Sequence, residues 1–384
     1  MKTAGIIAEY NPFHSGHAYH IAQTRALGYT HICAVMSENV VQRGDIAILD
    51  AHARAKAAIA GGADLVIRLM PPYSIGSARD FASAGVSILK GLGAIDALSF
   101  GAESADISAL CRCAQTLEKI DKDELKRLMS GGLTYPQALT KALNRLGDGF
   151  GEIVSAPNNV LALEYIRAIK DSGITPIAIK RTAAHDGDTP SGGYASASYL
   201  RKIMLSGGDV GDFLGYAYAE GDVSGIDKIE SAILWQLALA SPEEILSAPY
   251  TGSGIGRRIV KNAMTAGSLG ELFEAAKTRN VTHARVRRAV LAIALGITAA
   301  DIQSPPYARV LAANSRGLEI LAECKRRASI PISTSLADLS KTSEHARRCA
   351  ELSEKASRLR FLARADAGNG AFVPEAARKA LIIK

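Results

Sequence analysis

Two histidines three residues apart, in His14-Ser15-Gly16-His17, carry the clearest chemistry in this chain. Each imidazole can donate an N–H to a phosphoryl oxygen, and a helix starting beneath them would add the partial positive charge of its N-terminus. Gly16 lets backbone approach a ligand closely. The plain alternative is a pair of capping or surface histidines. Zinc is disfavoured, because no carboxylate or third ligand has the expected spacing. Context favours the phosphate reading. The apolar run over residues 4–9 breaks at Tyr10-Asn11-Pro12-Phe13, so the histidines follow a first buried strand.

Further candidates recur along the first 205 residues. Gly101-Ala102-Glu103-Ser104 could let a nucleoside lie against backbone, or be a turn. Pro157-Asn158-Asn159 leads into a helix, where one asparagine would cap and the other could read ribose or adenine. Lys180-Arg181 supplies two cations, for phosphate or for solvent. Ser196-Ala197-Ser198-Tyr199-Leu200-Arg201 has hydroxyls at a helix start and an arginine one turn on, a phosphate cradle or an ordinary cap. Residues 37–45, from Ser37 to Asp45, are a polar, glycine-containing loop that could bind substrate, act as a lid, or do neither. The chain contains no P-loop motif and no G-x-G-x-x-G after its first strand, which argues against P-loop and dinucleotide chemistry.

The elements that must position these residues can be read from periodicity. Strands are expected at 4–9, 31–36, 64–69, 97–100 and 175–180. Helices are expected at 17–27, 51–60, 78–90, 106–120, 123–129, 135–145 and 158–171. Strands alternating with helices imply an α/β fold with a Rossmann-like parallel sheet and right-handed crossovers. In such sheets ligands sit beyond the carboxyl ends of the strands, near the point where strand order reverses. Most of the candidates fall there.

After residue 205 the strand signal fades. Helices are expected at 226–239, 257–266, 269–277, 283–295, 316–327 and 343–364, with one strand at 309–311. A domain boundary is therefore expected near 205, dividing the chain into 1–205 and a mainly helical 206–384. The second part is the more basic, with 24 Lys and Arg against 19 Asp and Glu, in a chain of net charge +7. Arg257 with Lys261, and Arg285 with Arg288, lie one helical turn apart. With Arg258 they suggest a face for an RNA backbone, the alternative being a solvated helix face. The partner expected is RNA and not DNA.

Composition sets wider limits. An apolar fraction of 48% suffices for a sizeable core, and the 5% aromatic content argues against an all-β protein. The five cysteines have no zinc-type spacing and are expected to be free thiols in a cytoplasmic protein. No signal peptide or membrane span is expected.

The run Gly5-Ile6-Ile7-Ala8-Glu9-Tyr10-Asn11-Pro12-Phe13-His14-x-Gly-His17 is highly specific. With Ala34-Val35-Met36-Ser37-x-Asn39, Gln42-Arg43-Gly44 and the motifs at 100–104, 157–159, 180–181 and 195–201, it closely resembles the bacterial tRNA(Met) cytidine acetate ligase family. Residues 282–297 and 306–311 extend the likeness, which thins after about 365. The resemblance implies a nucleotidylyltransferase-type enzyme that activates acetate with ATP, assisted by Mg2+. It implies transfer of the acetyl group to N4 of the wobble cytidine of elongator tRNA(Met), giving N4-acetylcytidine. His14 and His17 would then be catalytic. Ile7, Ala8, Glu9, Tyr10, Asn11, Pro12, Phe13, Ser15, Gly16, Ala18, Tyr19 and His20 would complete a loop around ATP. Gly101 and Asn158 or Asn159 would hold the nucleoside, Lys180 and Arg181 a phosphate, and Ser196, Ser198 and Arg201 the pyrophosphate. Another adenylyltransferase with the same histidine motif, acting on a small molecule or a protein thiol, is the rival enzyme; a non-catalytic RNA-binding protein is the rival of another class. Two positions depart from the family: Glu38 stands where a glycine is expected, and Ser198 where a threonine-like residue is. No acetate-binding residue can be named from the sequence.

Overall fold

The computed structural model describes residues 1–147, 149–181, 193–252 and 254–383. Its centre is a twisted sheet of strands β1 (Thr3–Ala8), β2 (His31–Ser37), β5 (Leu65–Leu69), β6 (Ala97–Ala102), β7 (Thr175–Lys180), β8 (Ala308–Ala313), β9 (Ile332–Ser333) and β10 (Leu381–Ile382). A separate antiparallel pair, β3 (Val40–Val41) and β4 (Asp45–Ile46), forms within the loop after β2. The strand order is β10-β8-β5-β2-β1-β6-β7, with β9 beside β8. β1 pairs in parallel with both β2 and β6. Strands β2 and β5 are buried along their whole length, as mainly apolar runs covered on both faces must be, with Arg68 the charged exception on β5.

The helices α1 (Ser15–Ala26), α2 (Ala51–Ala60) and α3 (Ala78–Leu92) connect the first strands. Asp50 caps α2 by accepting from His52 N–H, and Ser77 caps α3 by accepting from Asp80 N–H. Gly93, at φ 69°, ends α3 in the left-handed conformation glycine adopts freely. α3 packs so closely on the sheet that a Cβ on Gly85 would stand 2.7 Å from Ile7. Between β6 and β7 runs an all-helical excursion: α4 (Ile107–Glu118), α5 (Lys122–Ser130), α6 (Tyr135–Asn144), α7 (Phe150–Ser155) and α8 (Pro157–Ala168). After α9 (Ala197–Leu205) and α10 (Gly211–Leu214) come α11 (Glu230–Leu239), α12 (Pro242–Ser247), α13 (Ile255–Asn262), α14 (Leu269–Ala276) and α15 (His283–Leu295). They enclose a second core, built on residues such as Ile259, Leu272, Val286 and Leu291 and joined by Val40, Ile46 and Leu352. α16 (Ser315–Arg327), α17 (Leu336–Leu339) and α18 (Glu344–Leu362) follow β8.

The expected division at 205 does not coincide with the sheet. β8 and β10, from the C-terminal part, lie inside it, and β8 runs antiparallel to β5 with register Leu65↔Ala313. The other pairings in this sheet are parallel, as the alternation of strands and helices implied. An apolar run such as Ala-Arg-Val-Leu-Ala-Ala is buried wherever it pairs, so its sequence does not say which sheet edge it joins.

A buried ionic network ties the two parts together. Glu38, fully buried at the end of β2, pairs with Arg68 Nε on β5 at 2.7 Å. Arg68 also pairs with Glu375 at 2.9 Å, and Glu375 with Arg309 on β8 at 3.0 Å. Ser357 on α18 donates to Glu375 at 2.8 Å. Glu38 is thus held inside this network, paired with arginine. Burial pushes its carboxyl up to about 7 despite Arg68. The last residues, where the family resemblance thins, supply Glu375 at the network's centre.

Candidate active site

A cavity of about 450 Å³ opens at the carboxyl ends of β1, β6 and β7, where the strand order reverses about β1. Ile7, Ala8, Glu9, Tyr10, Asn11, His14, Gly16, His17, Tyr19 and His20 line it from the first loop and α1. Gly101, Asn158, Lys180, Arg181 and Arg201 line it from β6, α8, β7 and α9. Seven expected members do not reach the wall: Pro12, Phe13, Ser15, Ala18, Asn159, Ser196 and Ser198. Phe13 is instead buried against α2, its ring 2.2 Å from where a Cβ on Gly61 would stand.

The loop's shape is imposed from outside it. Tyr10 adopts φ 47°, a left-handed conformation uncommon for a bulky residue. Arg54, fully buried on α2, donates to the carbonyls of Glu9 at 2.7 Å, Ser37 at 2.9 Å and Leu49 at 2.9 Å, and to that of Glu38. Asn11 Oδ1 accepts from Ile48 N–H at 2.7 Å, and its carbonyl accepts from Arg201 at 2.7 Å. Tyr216 donates to the Phe13 carbonyl at 3.1 Å, and Tyr165 to that of Ile7 at 3.2 Å.

The two histidines cap the helix they begin. His14 Nδ1 accepts from Gly16 N–H at 3.1 Å, and His17 Nδ1 accepts from His14 N–H at 3.2 Å. An acceptor nitrogen carries no proton, so in each neutral ring the hydrogen is on Nε2. The rings stack with centroids 3.9 Å apart. Burial, with Arg181 and Arg201 nearby, pushes His14 down to about 3. Burial, His14 and Arg181 likewise hold His17 well below the usual histidine value. Both rings are therefore neutral donors near pH 7. His20 differs: its Nε2 bonds Ser99 Oγ at 2.9 Å, so it serves the sheet more than the cavity.

The asparagines divide their work. Asn159 Oδ1 accepts from the N–H groups of Glu103 at 3.0 Å and Ser104 at 3.2 Å, fixing the loop after β6. Glu103 in return accepts from Asn158 Nδ2 at 2.6 Å and Asn159 N–H at 2.9 Å, capping α8. Gly101 gives Arg181 its room, since a Cβ there would touch the Arg181 side chain at 3.4 Å. On α9, Ser196 accepts from Tyr199 N–H as a helix cap. Ser198 Oγ accepts from both Arg43 and Arg201, each at 3.2 Å.

Two guanidiniums meeting at one hydroxyl typify the whole cavity. Arg43, Lys180, Arg181, Arg201 and Arg288 line it against a single carboxylate, Glu9, among the described residues. Such an excess of positive charge suits a polyphosphate. The sequence singled out the loop containing Gln42 and Arg43 without assigning them a place on the wall. Arg54, Tyr165 and Tyr194 carried no sequence signal, because a buried arginine or tyrosine is recognised only by what surrounds it. Arg288 is the largest departure: expected on an RNA-facing surface with Arg285, it lines this cavity. Arg285 donates to the Tyr250 carbonyl and Arg258 to that of Ala276, while Arg257 and Lys261 are exposed.

A mostly parallel sheet with this histidine-capped cavity at its switch point defines a nucleotidyl transferase of the HIGH class; the family model described as HIGH Nucleotidyl Transferase matches residues 1–370. The tRNA(Met) cytidine acetate ligase of Acetivibrio thermocellus is 35% identical over 373 residues, covering 89% of this chain and 90% of that protein. The Bacillus licheniformis protein of the same name is 34% identical, covering 87% of each chain. Thermotoga maritima TmcAL, crystallised with alpha-thio ATP, superposes with a TM-score of 0.85 at 27% identity, covering 95% of this chain and 96% of that one. Its apo form gives 0.90 at 26% identity over 100% of both. The chain belongs to the tRNA(Met) cytidine acetate ligase family. No helix among the described residues is long and apolar enough to cross a membrane.

Proposed function

We propose that this protein is an ATP-dependent ligase that activates acetate and acetylates N4 of the wobble cytidine of elongator tRNA(Met). The observation that carries the reading is the convergence of two neutral Nε2–H donors with the cations of the cavity, in a chain of this family. An acetate oxygen attacks the α-phosphorus of ATP and pyrophosphate leaves, giving acetyl-adenylate. The cytidine amine then attacks the acetyl carbonyl, loses a proton and expels AMP.

Phosphoryl transfer asks the protein mainly for positioning and charge stabilisation. His14 and His17 donate to the α-phosphoryl oxygens as charge shifts towards them. Being neutral, they need no proton from solvent to do so. Arg201, Ser198 and Arg43 hold the leaving pyrophosphate at the start of α9. Asn158 and the backbone at Gly101 receive the nucleoside, with Lys180 and Arg181 beside the phosphates. Glu9, whose Oε1 is buried without a hydrogen-bond partner, would be the residue to hold Mg2+, which would supply charge neutralisation for the phosphates. Arg257, Arg258, Lys261 and Arg285 contact the tRNA backbone from α13 and α15.

The test is acetate-dependent ATP–pyrophosphate exchange, followed by nucleoside mass spectrometry of tRNA(Met) incubated with ATP and acetate. Acetylated cytidine at the wobble position is expected. Folded protein that binds ATP but yields none would overturn the reading; exchange supported by another acid would redirect it to a different adenylate-forming ligase.

A further inference from the structure

The contacts assigned to ATP leave one side of the cavity unused. It is formed by the loop after β2, the start of α3 and the first half of α15. Gln42, Ala78, Phe81, Ala284 and Arg288 line it.

Arg288 is held there firmly. Its Nη1 donates to the Gln42 carbonyl at 3.3 Å, and its guanidinium lies 5.4 Å from the Tyr250 ring centroid. Tyr250 donates to Asp80 at 3.1 Å and accepts from Ser77 N–H at 3.3 Å, which fixes this assembly against the start of α3, beside Ala78. The loop carrying Gln42 is pressed onto α15. Gly44, at φ 74°, is so close that a Cβ would stand 2.5 Å from Arg288 N.

The pocket has donors and no matching acceptor. Arg288 Nε and Gln42 Nε2 are both buried without hydrogen-bond partners. Asp80, the carboxylate whose charge acts on Arg288, is already engaged by Ser77 Oγ at 2.7 Å and by Tyr250. Leaving such donors unsatisfied is costly, more so for a charged group. Beside them stand a methyl group and an aromatic ring, from Ala78 and Phe81. A cation and an amide donor next to a small apolar wall complement a short monocarboxylate: two oxygens for the donors, a methyl for the wall. The position is right as well, since Gln42 adjoins Arg43, which reaches the phosphate cluster at Ser198.

We propose that Arg288 and Gln42 bind the carboxylate of acetate, with Ala78 and Phe81 enclosing its methyl group. This rests on the acetate-activating reading above. It moves Arg288 from the RNA-binding set to the chemistry of the first step.

Full-length protein carrying Arg288→Ala, Arg288→Lys, Gln42→Ala or Gln42→Glu is assayed by ATP–pyrophosphate exchange against acetate concentration. Binding of a non-hydrolysable ATP analogue is measured separately by calorimetry without acetate, and tRNA binding by gel shift without ATP. For Arg288→Ala the acetate KM is expected to rise about 10- to 100-fold, as for loss of a charged hydrogen bond. Arg288→Lys should restore part of it, and Gln42→Glu should raise acetate KM by placing like charge beside the carboxylate. Analogue and tRNA binding should stay within about twofold of wild type, a margin set well below that expected change. An unchanged acetate KM overturns the assignment. So does equal weakening of the analogue, which would make the pocket a phosphate site, or selective loss of tRNA binding. If Arg288→Ala does not fold, the Gln42 variants decide on the same criteria. Wild-type protein that binds the analogue but shows no acetate-dependent exchange would overturn the parent reading, and the occupant of this pocket with it.

Discussion

Replacing His14 by asparagine and by alanine separates its two jobs. His14 Nδ1 caps α1 through the Gly16 N–H, and the ring's other nitrogen is the donor offered to phosphate. Asparagine keeps a short side-chain acceptor, which suits a helix cap, but has no donor at the distance of Nε2. His14→Ala loses both. Removing a side-chain cap costs about 1 kcal/mol, and removing one donor to developing negative charge lowers turnover about 100- to 1,000-fold. Both variants should therefore lose acetyl-adenylate formation to that degree, measured by pyrophosphate exchange at saturating ATP and acetate, while only His14→Ala melts lower. His14→Asn with more than about a fifth of wild-type turnover would refute the donor role, since that role predicts at least a hundredfold loss. The pH profile adds a second check. With His14 pushed down to about 3 and His20 to about 4, neither should impose an inflection on turnover between pH 6 and 8. An acid limb near 6.5 abolished by His14→Asn would mean that imidazolium, not neutral imidazole, does the work. Stability runs with a defined sign. Below about 6.5 the unfolded chain takes up protons that these folded rings refuse, so stability falls as pH drops from there towards their folded values. Above 6.5 they contribute no pH dependence.

Three other perturbations probe the scaffold and the partner. Glu375→Ala leaves Arg68 and Arg309 without their shared carboxylate, and loss of about 3–5 kcal/mol in denaturant unfolding is expected for such a buried break; a midpoint within error of wild type would show the network to be dispensable. Glu103→Ala removes the acceptor for Asn158 and Asn159 at the start of α8, so weaker binding of the ATP analogue is expected by calorimetry, with an unaltered acetate KM. Arg257→Ala with Lys261→Ala should weaken tRNA binding and reduce its salt slope by up to about two, while acetyl-adenylate formation survives; loss of both steps together would make that helix face structural.

The order of elements was legible from periodicity because burial on both faces of a parallel sheet leaves unbroken apolar runs, and amphipathic helices repeat between them. Helices 51–60 and 283–295 and strand 175–180 have the expected limits. The extra strands were not legible in the same way. β10 is two residues long; β8 was expected over 309–311, but its place in the sheet was not, since its buried arginine finds its partner, Glu375, 66 positions away. A local pattern cannot report a contact at that range. The same limit hid Arg54, whose acceptors are backbone carbonyls of three separate segments, and it put Glu103 and Asn159 among nucleoside ligands or turns when they hold one another's backbone.

By itself, the sequence determined the phosphate chemistry. The histidines proposed to perform it are packed into one strand–loop–helix unit, so spacing alone sets them at a helix start, and the motif around them marks the family. Only the tertiary structure decided their state and their neighbours. Burial beside Arg181 and Arg201 makes the imidazoles neutral, and two backbone N–H groups fix which nitrogen keeps its proton. The turn of α15 onto the loop at Gly44 brings Arg288, some 270 residues from the histidines in sequence, to the same cavity. Charge state and long-range proximity depend on what surrounds a side chain, and that is created when the chain closes on itself.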